Sequence, residues 1–348
     1  MRPREMRRAV SRGAKKPRPG YRSAMHVLVT GAAGFIGSHV SHALLARGDR
    51  VTGIDDLNAY YDPALKQARL ALLQAKPGFD FRKLDIADLD AMRALANDAP
   101  DAIVHLAAQA GVRHSLKHPE DYVRSNVQGQ LSMLELARAL PVLRHFVYAS
   151  SSSVYGDNEK LPFSVRDPVE RPASFYGATK RAGEVMAISY ARLYGTPSTG
   201  LRFFTVYGPW GRPDMAAWLF VKAMLEGQPI QLFNGGKMQR DFTYIEDITE
   251  GVLAALDNPP PRDAKHESHR LYNLGNHRSE ELPRFLSILE QACGKKAIVE
   301  NAPMQQGDVR ATYADISESR RDLGFEPKIS IDVGLPKFVD WYRAYHKA

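Results

Sequence analysis

The sequence has 348 residues, 25% of them charged and 44% hydrophobic, and a formal net charge of +8. Its length exceeds that of one average domain and predicts a large domain with a smaller companion. Residues 1–24 carry nine basic side chains and one acidic side chain, so the rest of the chain is neutral, which argues against a nucleic-acid-binding body.

The first segment in chain order, residues 1–24, has prolines, glycines and arginines but no apolar run, which predicts a disordered extension and no secretory signal. No later stretch approaches the roughly 18 apolar residues of a membrane span. Cys293 is the single cysteine, so no internal disulfide can form, and we expect a cytoplasmic protein. The 11 histidines show no metal-ligand spacing, and we expect no metal site.

Short apolar runs rich in β-branched residues alternate with helical patterns through the first two-thirds of the chain. This alternation predicts βαβ units and a doubly wound (Rossmann) parallel sheet over residues 25–204. From residue 205 to 348 the pattern is irregular and predicts a smaller, interleaved substrate-binding domain, with segments around 240–280 returning to the first domain. The predicted strands are His26–Thr30, Val51–Ile54, Asp80–Lys83, Ala102–Leu106, His145–Ala149 and Thr199–Phe204.

A glycine triplet, Gly31-x-x-Gly34-x-x-Gly37, follows the first strand and opens a helix. Positions without side chains let the backbone approach a pyrophosphate, and the helix N-terminus adds N–H donors and positive potential. The second strand delivers Asp55, 18 residues past Gly37, where a carboxylate can accept hydrogen bonds from a ribose. Asp55 and Asp56 would repel a 2′-phosphate, so residues 25–204 are predicted to bind NAD rather than NADP.

Other residues at the strand ends are predicted to complete the NAD site. Asp85 and Ile86 follow the third strand and are placed to flank adenine, while Leu106, Ala107 and Ala108 give a floor of mostly small residues after the fourth. The remaining predicted cofactor contacts are Phe35, Ile36, Asn58, Gln109, Asn126, Tyr176, Lys180 and Phe203.

Tyr176 and Lys180 form a YxxxK pair, one turn apart on a predicted helix over 174–194. A tyrosine with an ordinary pKa near 10 is a poor base at neutral pH, and the pattern suggests that Lys180 is the cation that lowers it. The strand ending at Ala149 is followed by the four serines 150–153, at the edge where parallel sheets place their chemistry. Gly177 and Gly183 within the helix predict close approach by another backbone.

The glycine triplet together with Ser151, Tyr176 and Lys180 resembles the extended short-chain dehydrogenase/reductases, from Met25 to about Ala348. Longer stretches resemble the UDP-glucuronate 4-epimerase branch of the NAD-dependent epimerase/dehydratase family. The resemblance implies that Ser151 hydrogen-bonds the sugar 4-hydroxyl, that Tyr176 removes its proton and that Lys180 holds the cofactor ribose. It also implies that Arg240 and Asp308 contact the nucleotide. The stretches are Gln109–Arg113, Arg202–Met215, Gly236–Tyr244 and Gly307–Asp315.

Enzymes of this fold begin by oxidising carbon 4 of the sugar to a ketone, and neighbouring residues decide the fate of that ketone. Dehydratases place an Asp-Glu pair after the catalytic hydroxyl, and UDP-glucuronate decarboxylases carry a glutamate at the position of Ser153, whereas this chain has Ser152 and Ser153. Without that acid or base the ketone is reduced again, and a sugar that has rotated is epimerised. NAD is then held tightly and not consumed.

With glucuronate the intermediate is a β-keto acid whose carboxylate must be restrained to prevent loss of carbon dioxide. We expect Ser152, Ser153 and Thr205 to hold it, with Arg113 and Arg212 nearby.

Three alternatives stay open. A 4-epimerase of a neutral UDP-sugar would use the same Ser151, Tyr176 and Lys180, and a UDP-glucuronate decarboxylase is a weaker possibility. A non-catalytic NAD-sensing scaffold has no use for that assembled set. By analogy with the family, the helices around 120–140 and 174–194 predict a homodimer. Galacturonate for a surface polysaccharide would be a natural use of the product.

Overall fold

The computed structural model describes residues 24–261 and 268–347, so nearly all of the predicted N-terminal extension lies outside the described residues. Three sheets are formed by twelve strands in the described ranges. The strands are β1 His26–Thr30, β2 Arg50–Asp55, β3 Phe79–Lys83, β4 Ala102–His105, β5 His145–Ser151, β6 Ser198–Phe203, β7 Thr205–Tyr207, β8 Pro229–Phe233, β9 Gln239–Tyr244, β10 His269–Leu274, β11 Ser279–Glu281 and β12 Ile298–Ala302.

Helices connect these strands and cover both faces of the large sheet. The α-helices are α1 Phe35–Ala46, α2 Pro63–Gln74, α3 Leu89–Ala94, α4 Val112–Ser115, α5 Pro119–Tyr122, α6 Gly129–Ala139, α7 Phe175–Tyr194, α8 Ala216–Glu226, α9 Ile245–Asp257, α10 Leu282–Cys293, α11 Ser317–Leu323 and α12 Ile331–His346.

The large sheet has seven strands in the order β10-β6-β5-β4-β1-β2-β3, and every neighbouring pair is parallel. The predicted doubly wound parallel sheet is therefore confirmed. Strand β10 lies at the edge beside β6. The chain therefore returns to the large sheet after forming β7, β8 and β9 of the two smaller sheets, β11-β9-β7 and β12-β8.

Side chains along each strand point alternately to the two faces of the sheet, and this divides the core into two layers. On β1, Val27 and Val29 face a cluster that includes Val40 of α1 and Val252 of α9, while Leu28 faces the opposite cluster with Met133 of α6. Successive strand side chains point to opposite faces, so one apolar strand feeds both layers. The first cluster continues without a break into the smaller unit, so the two units pack as one body along the cleft between them.

The two glycines of α7 have different surroundings. A Cβ on Gly177 would lie 2.5 Å from the backbone oxygen of Ser153, so the predicted backbone approach is confirmed there. A Cβ on Gly183 would have only side-chain atoms of Gln130 nearby, the closest at 3.7 Å. The prediction was wrong at Gly183, because its neighbour is a side chain at ordinary contact distance.

Candidate active site

A cavity of about 1120 Å³ lies at the carboxyl ends of the parallel strands, between the large sheet and the smaller unit. Its base is at the junction of β1 and β4, where the strand order reverses and doubly wound sheets bind their ligands. This volume exceeds the upper end of the range for one drug-sized ligand, which is roughly 1,000 Å³. The cavity is therefore large for a single small ligand.

The glycine-rich loop forms one wall of this cavity. Gly31 has a φ of +71°, and a Cβ there would lie 2.8 Å from the backbone nitrogen of Ala107. Helix α1 begins directly after the loop, with no side-chain cap and no acidic residue in its first turn. Its first N–H groups are thus available to an anion, and the helix dipole favours one there.

Asp55 ends strand β2 beside this loop. Its carboxylate accepts hydrogen bonds from the backbone N–H groups of Ala33 at 3.2 Å and Leu57 at 2.9 Å. Burial raises the pKa of Asp55, while the charge of Lys66 and these N–H groups act to lower it. Lys66 Nζ lies 3.8 Å from Asp55 and donates to Asn58 at 3.0 Å.

Sequence reasoning missed Lys66, although a signal was present. In helix α2 it occupies the face that buries Leu65, Leu70 and Leu73. A lysine on the apolar face of a helix is a candidate for a specific polar contact, because burying its charge without a partner is costly.

The residues present fit NAD. A loop without side chains, an uncapped helix and a carboxylate at the second strand match a pyrophosphate and a ribose. Every residue predicted to contact the cofactor lines the cavity except Asn126. Asn126 lies behind the wall, where it donates to the carbonyl of Gln109 and to Thr179 and accepts from the N–H of Gln109.

The predicted catalytic residues meet where β5 and α7 face each other. Ser151 is the last residue of β5, and its Oγ lies 3.2 Å from Oγ of Ser153. Ser174 caps α7 by accepting from the N–H of Gly177, which places Tyr176 in the first turn. Lys180, one turn on, donates through Nζ to the carbonyl of Ala149 at 3.0 Å.

The electrostatics around Tyr176 differ from the sequence-based expectation. Burial raises the pKa of Tyr176, while a hydrogen bond from Ser151 and the charge of Arg212 act to lower it. Burial also lowers the pKa of Lys180 to about 8. Arg212 is a cation that acts to lower the pKa of Tyr176 in this structure, and the ammonium of Lys180 donates to the strand backbone.

Arg212 belongs to a polar cluster that sequence reasoning only partly found. Its guanidinium makes a two-point ion pair with Asp214, with Nε at 2.9 Å from one carboxylate oxygen, and Tyr60 donates to the other oxygen at 3.0 Å. Burial alone would raise the pKa of Asp214, but the charge and hydrogen bonds of Arg212 outweigh it and lower the pKa. Asp214 is therefore ionised at neutral pH, and it lines the same cavity as Ser152, Ser153 and Thr205.

The far end of the cavity is basic. The guanidinium of Arg113 lies over the ring of Phe233 at 4.9 Å and 3.7 Å from the carboxylate of Asp308. Arg240 donates to the carbonyl of Arg310 at 3.2 Å; burial lowers its pKa and the charge of Asp308 raises it. Two arginines beside an aromatic ring suit a nucleoside diphosphate.

The parallel sheet, the glycine-rich loop and the Ser-Tyr-Lys set define a dinucleotide-dependent enzyme of the Rossmann class. Residues 27–275 match the family described as Epimerase, NAD dependent epimerase/dehydratase family. The chain belongs to this family, which confirms the predicted resemblance.

The chain is similar to proteins with a more specific description. It is 45% identical over 346 residues to UDP-glucuronate 4-epimerase 4 of Arabidopsis thaliana, with 96% of this chain and 79% of that protein covered. It is 44% identical over 331 residues to a probable UDP-glucuronate 4-epimerase of Rhizobium meliloti (strain 1021), with 91% and 97% covered. Its fold matches the crystal structure of UDP-glucuronic acid 4-epimerase from Bacillus cereus, in complex with UDP-glucuronic acid and NAD. That match has a TM-score of 0.85 and 36% identity, and covers 92% of this chain and 100% of the other.

Within the described ranges, 24–261 and 268–347, the chain has neither a helix of membrane-spanning length and hydropathy nor a group of three or more metal-ligating side chains.

Proposed function

We propose that the protein is a UDP-glucuronate 4-epimerase that interconverts UDP-glucuronate and UDP-galacturonate through a 4-keto intermediate, with tightly held NAD. The observation that carries this proposal is the meeting of Ser151, Tyr176 and Lys180 beside the glycine-rich loop, with serines at the two following positions. Similarity to proteins named for this activity supports it.

Bound NAD would accept the hydrogen of carbon 4 with its electron pair and later return it. The protein's own groups would move the proton. Ser151 orients the 4-hydroxyl, and Tyr176 removes its proton when its own hydroxyl is ionised and gives it back when the ketone is reduced. Lys180, whose ammonium donates to the carbonyl of Ala149, would bind the cofactor ribose.

The surrounding groups favour epimerisation over elimination or decarboxylation. Ser152 and Ser153 are neutral donors where a dehydratase or decarboxylase would have an acid. The carboxylate of Asp214 is paired with Arg212 and accepts a hydrogen bond from Tyr60. These residues thus offer no free general acid to carbons 5 and 6. With the sugar carboxylate restrained by the neutral donors, reduction of the rotated ketone is favoured.

The test is to incubate the purified protein with UDP-glucuronate, without added NAD, and to follow the products by NMR. We expect UDP-galacturonate and no pentose product, and we expect Tyr176→Phe to retain NAD but lose conversion. UDP-xylose or its 4-keto precursor would overturn the assignment in favour of decarboxylation. Conversion of UDP-galactose or its N-acetylated form, but not of UDP-galacturonate, would favour the neutral-sugar alternative.

We also propose that the protein acts as a homodimer. Helices α6 and α7 lie side by side, and these helices and the π-helical turn before α6 expose a set of apolar side chains: Val123, Leu131, Phe175, Val185 and Leu193. A second copy of the chain would bury these side chains about a two-fold axis. A cytoplasmic location and supply of galacturonate for polysaccharide synthesis belong to the same proposal.

Light scattering after gel filtration tests the dimer. Leu131→Asp should yield monomers, because it places a charge in the proposed interface. Val142→Asp is the matched control, since Val142 is also exposed but follows α6 in a turn. A monomeric native protein, or a Leu131→Asp dimer, would overturn this proposal.

A further inference from the structure

Arg69 is a buried arginine with an unusual set of partners. It lies in α2 and is 1% exposed. Its guanidinium donates to the carbonyls of Trp210 at 2.6 Å, Gly211 at 3.1 Å and Ala33 at 3.2 Å, and to the hydroxyl of Tyr61 at 2.8 Å. Within the described parts of the chain it makes no ion pair, although the charge of Asp55 acts on it from a greater distance.

Burying a charge without a hydrogen-bonded counterion is costly, so the contacts themselves must account for the residue. Only the planar fork of arginine offers five donors in fixed directions, and here they join three separate segments. Ala33 belongs to the glycine-rich loop, Tyr61 follows β2, and Trp210 and Gly211 lie 141 and 142 residues further along the chain than Arg69. We call this set the Arg69 junction.

The turn held by the junction is a strained one. Trp210 has a φ of +64°, a strained conformation that a bulky side chain seldom adopts. Its ring packs against Trp341 at 5.3 Å and Tyr345 at 5.2 Å, and Arg69 binds its carbonyl. Together these contacts can hold the turn in place.

The residues next to the junction line the cavity. Arg212 and Asp214 directly follow the held turn, and Tyr60, which precedes Tyr61, donates to Asp214. We propose that Arg69 is a positioning residue for sugar recognition: it fixes the turn that presents Arg212 and Asp214, and it ties that turn to the glycine-rich loop. This inference rests on the proposed epimerase function.

The first experiment compares two affinities in a Tyr176→Phe background, where the substrate is not turned over. Calorimetry would measure binding of UDP-glucuronate and of UDP. We expect Arg69→Lys to weaken the binding of UDP-glucuronate about tenfold, which is within the range for coupled neighbouring residues, and to leave the affinity for UDP unchanged. Arg343→Lys is the matched control, because Arg343 also donates to a backbone carbonyl but lies on α12, away from the cavity. It should change neither affinity.

The second experiment asks whether Arg69 acts through Arg212. If it does, Arg69→Lys combined with Arg212→Gln should bind UDP-glucuronate no more weakly than Arg212→Gln alone. Additive losses, or equal losses for UDP and UDP-glucuronate, would overturn the proposal, because both indicate general damage. If Arg69→Lys fails to fold, Tyr61→Phe is the substitute, because it removes one acceptor from the junction. It should weaken the binding of UDP-glucuronate by less than tenfold and leave the binding of UDP unchanged. If Tyr61→Phe then binds UDP-glucuronate with unchanged affinity, the proposal is overturned.

The two proposals fail in distinguishable ways. A native protein that does not convert UDP-glucuronate contradicts the proposed function. A native protein that converts it, with variants at the junction that bind it normally, contradicts only the role of Arg69.

Discussion

Opposing effects act on the pKa of the Tyr176 hydroxyl. Burial favours its protonated form and raises its pKa, whereas Ser151 and Arg212 favour the phenolate. A base must be ionised to act, so the proton-removal rate should rise as pH rises through the pKa of this tyrosine. The position of that rise on the pH axis therefore reports the charges around the residue.

The first prediction concerns Arg212. Replacing it with glutamine removes a positive charge that stabilises the phenolate, so the pKa of Tyr176 rises. The ascending limb of kcat against pH should therefore move to higher pH. Arg113→Gln is the control, since Arg113 is not among the groups that act on Tyr176. A limb that stays in place in Arg212→Gln would contradict the prediction.

Residues with a local signature could be predicted from the sequence. The glycine triplet, Asp55 and the YxxxK pair each have a fixed spacing relative to one strand or helix, and the structure brings them to one cavity. Arg69 and Asp214 could not be predicted in this way. The partners of Arg69 include a backbone carbonyl 141 residues distant, and the role of Asp214 depends on Tyr60, 154 residues away. Such contacts leave no periodic pattern.

At the scale of elements, one face of α7 is attached to β5 and to the turn that follows it at three points, spaced three and four residues apart. Gly177 contacts the backbone of Ser153, Lys180 donates to Ala149, and Glu184 accepts from Ser150 at 2.6 Å. Glu184 is also paired with buried Arg202, the register partner of Ser150 on β6. This series of contacts sets the distance between Ser151 and Tyr176.

The second prediction removes one point of attachment. Ser150→Ala deletes the hydrogen bond to Glu184 and leaves the ion pair with Arg202 intact, so the protein should fold. We expect kcat to fall about tenfold with an unchanged KM, because misplaced catalytic groups affect the chemical step. Ser319→Ala is the control: it also deletes a buried hydrogen bond, to the carbonyl of Asn273, but outside the cavity. Equal effects of the two variants would argue against a specific role.

The third prediction uses the two glycines of α7 as a pair. Gly183→Ala meets only ordinary contacts and should stabilise the helix by about 1 kcal/mol without loss of activity. Gly177→Ala would drive a Cβ into the backbone of Ser153 and should lower both kcat and the melting temperature. Thermal unfolding and kinetics of both variants provide the measurement, and a destabilised Gly183→Ala would show that the contact with Gln130 is tighter than its distance indicates.

Element boundaries were predicted more closely than the burial of the helices. The predicted strands differ from the observed ones by at most two residues at either end. Val123, Val127, Leu131 and Leu134 have the spacing of one helix face, yet a π-helical turn over Val123–Gln128 precedes α6. It leaves Val123 and Leu131 exposed and Leu134 buried. Periodicity alone does not distinguish apolar residues that pack into the core from apolar residues that a second chain would bury.

At the scale of the whole molecule, several buried histidines make stability depend on pH. Burial lowers the pKa of His105 to about 3 and the pKa values of His39, His145 and His269 to about 4. In the unfolded chain these groups titrate near the usual value of about 6.5. Below that pH the unfolded state binds more protons, so the free energy of unfolding falls as pH falls, until the folded-state pKa values are reached.

Asp241 acts in the opposite direction. Burial raises its pKa to about 6, against hydrogen bonds from Asn276, Ala314 and Thr243 that lower it. Between its unfolded-state pKa, near 4, and pH 6 the folded state binds the extra proton, so this residue adds stability as pH falls. Burial also raises the pKa values of Asp55 and Asp247 and lowers those of His26, His42 and His346. Seven histidines thus oppose three aspartates, and the sum is a net loss of stability on acidification.

The fourth prediction is therefore that the free energy of unfolding, measured with urea at one protein concentration, decreases between pH 6.5 and 5. Each histidine contributes up to about 1.4 kcal/mol per pH unit. His145→Asn should make this decrease shallower by about one proton. Asp241→Asn should make it steeper, because it removes the compensating proton uptake of the folded state. Slopes that change in the same direction in both variants would contradict the assignment, since the two groups carry opposite signs.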